Sequence, residues 1–192
     1  MNFVNSATRY GWVSIVNHWA TAALFIGLIG LGLVMDELPK GTIRLTVTDL
    51  HKSLGVLAFA LVALRIAWNT VDRRPDALPA HAGWERMLAR GVRLALWTGL
   101  IGLPLSGWIL SAAGGHEVSF FGLFTLPAPV GENHGLHEAA EETHELLGNL
   151  LIAAVALHAV GALKHHFLDR DDTLARILPA RSRPKSRTSS LQ

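Results

Sequence analysis

Residues 143–167 read THELLGNLLIAAVALHAVGALKHHF. Apolar side chains fall on every face of the helix this stretch would form. At about 1.5 Å per residue it is long enough to cross a hydrocarbon core about 30 Å thick. Inside it, His144 and His158 stand fourteen residues apart. That is close to four helical turns, so both share one face, about 21 Å apart along the axis. Leu151 lies halfway between them on the same stripe. An ionisable side chain at membrane depth is costly and is by default a functional group.

Three more stretches have the same character, residues 12–34, 50–69 and 91–113. They have too little polar face for a soluble bundle. Composition agrees: half of the 192 residues are hydrophobic and only 17% are charged, against about 25% in soluble domains. The expectation is an all-α integral membrane four-helix bundle, one domain over residues 1–179. The basic, Ser-rich residues 180–192 read as a disordered tail, with contact to anionic lipid as the alternative. Pro104, inside the third stretch, is expected to kink it. Nothing in the chain points to nucleic acid.

Lys and Arg give the direction of insertion. Arg73, Arg74, Arg86 and Arg90 lie between the second and third spans, and Arg170, Arg176, Arg181, Arg183, Lys185 and Arg187 follow the fourth. The first connection has Lys40, Arg44 and Lys52, offset by Asp36, Glu37 and Asp49. The third has no basic residue. The positive-inside rule then places both termini and the second connection in the cytoplasm. The first span lacks a charged leader and a small-residue cleavage site, and reads as an uncleaved anchor.

Direction gives each histidine a depth. His18 opens the first span, on the cytoplasmic side, and His51 opens the second, on the outer side. Depth therefore pairs His18 with His158 and His51 with His144. The chain has no cysteine, which excludes disulfides, iron–sulfur clusters, thiolate zinc and covalent haem attachment. Two bis-histidine sites in a membrane suit two b-type haems. Arg65, fourteen residues after His51, shares its face and suits a haem propionate; snorkelling to lipid phosphate is the alternative. Glycines in all four spans allow close helix approach and leave room for a flat macrocycle. His134, His137 and His144 offer a weaker reading as an outer zinc site, and His81, His116 and His166 read as ordinary polar positions.

Several stretches resemble the bacterial cytochrome b561 family. They are His18-Trp19, His51-Lys52-Ser53-Leu54-Gly55, Leu103-Pro104-Leu105-Ser106-Gly107-Trp108, His144-Glu145-Leu146-Leu147-Gly148-Asn149, and Lys164-His165-His166-Phe167 with the closing Asp171–Pro179 run. The resemblance implies a four-helix bundle with two haem b groups, whose iron axial ligands fall on His18, His51, His144 and His158. It implies electron transfer across the bacterial inner membrane, from superoxide or another outer one-electron donor to ubiquinone. It also links His165, seven residues after His158, to quinone binding.

Lys52, beside His51, would give a local positive spot on an outer face that is otherwise acidic at Glu117, Glu132, Glu138, Glu141, Glu142 and Glu145. That acidity would also suit a cationic periplasmic redox protein as donor. Two alternatives stay open: a haem-bearing membrane anchor of a larger dehydrogenase or hydrogenase, and a haem-free metal-binding membrane protein.

Overall fold

The structure, a computed structural model, describes residues 2–76 and 83–179. His81 and the tail from residue 180 lie outside the described residues. Four long helices are present: α1 (Trp12–Glu37), α2 (Thr42–Val71), α3 (Gly83–Ala113) and α4 (His134–Phe167). All four are long and apolar enough to cross a membrane. The chain is thus an all-α membrane four-helix bundle. Each helix runs past its most apolar stretch, because backbone bonding continues into polar water-facing turns while only the middle must be apolar. Helix α3 stays a single helix through Pro104.

The bundle is apolar inside and out. Its core joins Phe25 and Leu28 of α1, Ala58 and Val62 of α2, and Leu151 of α4. Leu151, midway between the two α4 histidines, is fully buried. Large apolar side chains such as Ile26, Leu33, Leu64, Leu94, Leu157 and Val160 are exposed, as expected where the solvent is lipid. Helices α3 and α4 pack closely because two α3 glycines face α4 leucines. A Cβ at Gly99 would lie 2.9 Å from Leu151, and one at Gly102 would lie 2.8 Å from Leu147.

The two ends of the bundle differ. At one end, the N-terminal segment, the end of α2 and the segment after α4 are laced together. Asn5 N–H donates to Asp72 Oδ2 at 3.0 Å, Arg9 Nη2 to the Ala175 carbonyl at 2.9 Å, and Arg176 Nη1 to the Asp76 carbonyl at 2.7 Å. Both described termini therefore lie at the same end as the α2–α3 connection.

The opposite end carries a two-stranded antiparallel hairpin, β1 (Val118–Phe120) and β2 (Phe124–Leu126). Its turn residues Phe121 and Gly122 both have positive φ, 50° and 72°, as a type I′ turn requires. Ser53 of α2 anchors the hairpin. Its hydroxyl accepts from Phe121 N–H at 3.1 Å and lies 3.0 Å from the Ser119 carbonyl.

Candidate functional site

The bundle brings the four span histidines together as two facing pairs. His18 on α1 meets His158 on α4, with ring centres 6.3 Å apart. His51 on α2 meets His144 on α4, also at 6.3 Å. Two metal–imidazole bonds of about 2.0 Å, plus the ring radius on each side, put ring centres roughly 6.2 Å apart. Each pair thus has the spacing for one metal ion held between two imidazoles. The first pair lies toward the termini end and the second toward the hairpin end.

The surroundings fit a flat group between each pair. Gly55 follows His51 by four residues, Gly148 follows His144 by four, and Gly161 follows His158 by three. Each glycine is half-buried, yet a Cβ on it would meet nothing within 4 Å. A turn from each of these histidines, the helix surface is therefore bare beside open space. Next to His18, Asn17 Oδ1 and Thr21 Oγ1 are buried with no hydrogen-bond partner. Orphaned buried acceptors cost about 1–3 kcal/mol each, which fits a further group or water beside His18.

The neighbours of the imidazoles differ between the pairs. Ser106 Oγ lies 3.0 Å from His144 Nδ1 and 3.1 Å from the Leu103 carbonyl. If the hydroxyl donates to that carbonyl, it accepts from Nδ1–H and leaves Nε2 as a metal-binding nitrogen. At the other pair, Arg65 Nη2 lies 3.3 Å from His18 Nδ1, and the guanidinium sits 5.8 Å from the Trp97 ring centre. Arg65 points into the bundle as its spacing from His51 requires, but it reaches the other histidine pair.

Lys52 Nζ donates to the Glu117 carbonyl at 3.4 Å, so it is tied to the strand that follows. His137 Nδ1 lies 3.0 Å from the Leu110 carbonyl, and His134 pairs with Glu138 at 3.4 Å. Neither joins His144 in a three-ligand group among the described residues. His165 is at the termini end, with Nδ1 2.7 Å from Asp169 Oδ2 and 3.5 Å from Asp171 Oδ2.

Sequence reading alone did not single out Ser106, Ser53 or Asp169. Ser106 sits two residues before Trp108 in a glycine-rich stretch, and a hydroxyl there carries no periodic signal. Asp169, four residues after His165, was open to an i, i+4 pairing argument.

A sequence profile described as prokaryotic cytochrome b561 matches residues 9–180. Cytochrome b561 homolog 2 of Escherichia coli K12 is 35% identical over 180 residues, 93% of this chain and 95% of its own. Cytochrome b561 homolog 1 of the same strain is 28% identical, over 90% of this chain and 98% of its own. A Yersinia pestis protein named probable superoxide oxidase CybB is 25% identical, over 89% of this chain and 96% of its own. With four membrane-length helices and a match over nearly all its residues, the chain belongs to the prokaryotic cytochrome b561 family, membrane proteins that bind haem b and transfer electrons.

Proposed function

We propose that this protein holds two haem b groups, one between His51 and His144 and one between His18 and His158. It moves electrons across the bacterial inner membrane from superoxide, or another outer one-electron donor, to ubiquinone. The observation that carries this reading is the two facing histidine pairs, equal in spacing and about four helical turns apart on α4. The excess of Lys and Arg near the termini end supports a cytoplasmic position for that end. The hairpin end then faces outward. The name of the Yersinia pestis relative supports superoxide as donor.

Each haem, held by two histidines, would supply reversible one-electron chemistry. The chain does the rest. The histidines fix iron position across helices α1, α2 and α4. Ser106 orients His144. Arg65 neutralises a carboxylate on the His18/His158 side. If His18 held a metal through Nε2, its Nδ1 would carry the proton, ring and guanidinium would both be donors, and Arg65 would suit a carboxylate acceptor such as a propionate. Lys52, beside His51, provides the positive spot on the outer face. His165 donates to a quinone carbonyl at the cytoplasmic end. Two superoxide anions lose one electron each to give two O2, and one quinone gains both electrons with two protons to give the quinol.

The test is haem quantification per chain together with a reduced-minus-oxidised spectrum. About two haems per chain are expected. His144→Ala and His18→Ala should each lose one haem and retain the other. A preparation with one haem, or His144→Ala retaining two, sinks the assignment.

A further inference from the structure

The cytoplasmic end of α4 carries a polar network that electron transfer through the bundle does not use. His165 Nδ1 lies 2.7 Å from Asp169 Oδ2. Lys164 Nζ donates to both oxygens of the same carboxylate, at 2.8 and 3.1 Å. Lys164 also donates to Glu85 Oε1 of α3 at 2.7 Å. Asp169 is thus held from two sides, and Lys164 ties it across to a second helix. Beyond it, Arg170 takes a left-handed conformation, φ 54°, and Asp171 N–H returns to the His165 carbonyl at 3.0 Å. This turn sets a second carboxylate 3.5 Å from the same ring nitrogen.

We propose that Asp169 is the positioning residue for His165: it keeps a proton on Nδ1, fixes the ring, and so assigns Nε2 to proton exchange with the quinone. The inference rests on His165 being the quinone contact. A carboxylate accepts and does not donate, so the short contact requires the hydrogen on Nδ1. The hydrogen bonds from Lys164 also hold the Asp169 carboxyl below the usual carboxylate range. It is therefore an anion, hence an acceptor, at neutral pH. With Nδ1–H fixed, only Nε2 gains and loses a proton. A proton on Nε2 passes to the quinone carbonyl oxygen, breaking N–H and forming O–H. The imidazole then takes another proton from cytoplasmic water. Two such transfers, with two electrons from two molecules of the outer donor, convert one quinone to one quinol.

The test uses the full-length haem-loaded protein in lipid nanodiscs with 15N-labelled histidine. The His165 signal is assigned by its loss in His165→Gln, and decylubiquinone is the binding probe. The parent should show a single Nδ1–H form of the neutral ring. Asp169→Asn, which is isosteric but able to donate or accept, should mix the two tautomers and weaken decylubiquinone binding about tenfold. Asp169→Glu should restore the single tautomer and most of the affinity. A single Nδ1–H form in Asp169→Asn, or affinity within about twofold of the parent, overturns the proposal. If His165→Gln leaves decylubiquinone binding unchanged, the reading of His165 as quinone contact fails instead, whatever the tautomer of the parent.

Discussion

Ser106 Oγ on α3 stands 3.0 Å from His144 Nδ1 on α4, a contact made across the tightest helix pair of the bundle. It links the glycine-rich stretch of α3 to the His51/His144 pair. Ser106→Ala should leave the bundle folded, since the hydroxyl's other contact is one carbonyl within α3. Haem at the proposed His51/His144 site should bind about tenfold more weakly, as for the loss of a group that orients a metal ligand. Its midpoint potential should rise, because an imidazole that no longer donates from Nδ1 is a poorer electron donor to ferric iron. Potentiometric titration resolving the two haems checks this.

Arg65 should matter to one haem only. Arg65→Gln removes a half-buried charge 3.3 Å from His18. Haem retention at the His18/His158 pair should fall on dilution or detergent washing while the His51/His144 haem is unaffected. Equal loss of both haems would place the guanidinium's role elsewhere.

Two glycines on facing helices should respond in opposite ways to added bulk. Gly99→Ala drives a Cβ to 2.9 Å from Leu151 and should cost about 1–3 kcal/mol from overpacking, read as a lower melting temperature of haem-free protein. Gly148→Val meets nothing within 4 Å at its Cβ, so the haem-free bundle should tolerate it. Haem at the adjacent His144 should then be lost. Full haem loading in Gly148→Val would show that no macrocycle lies beside that position.

Lys52→Gln tests the donor. If the donor is a small anion, the second-order rate of haem reduction should fall, and its dependence on ionic strength should flatten. A faster reaction on charge removal would favour a cationic protein docking on Glu117 and Glu132.

Acid should weaken the end of α4. The Asp169 carboxyl is held low chiefly by the hydrogen bonds from Lys164. A depressed folded-state value stabilises above the unfolded value of about 3.9, and that stabilisation is lost as pH falls through the folded value. Lys164→Met should therefore lower the melting temperature at neutral pH, with the gap to the parent closing only below about pH 4. Circular dichroism melts across pH 3–7 measure it. A gap that closes between pH 5 and 7 would point to a histidine instead.

The sequence by itself determined the four helices and the place of each histidine along them. An apolar run of membrane length admits essentially one backbone solution in lipid, a helix. The fourteen-residue interval between His144 and His158 fixes their common face whatever surrounds them. Depth also matched His18 to His158 and His51 to His144, the residues that the bundle brings face to face.

Only the tertiary structure decided what lies beside those rings. Ser106 reaches His144 because Gly99 and Gly102 let α3 close onto α4. Arg65 reaches His18 because α2 leans on α1. The hairpin is pinned by a hydroxyl 68 residues from the amide that it accepts, and Asp171 returns to His165 through one left-handed residue. These contacts depend on helix rotation and separation of a few ångströms, set by side-chain packing. Hydropathy and spacing along one chain do not encode it.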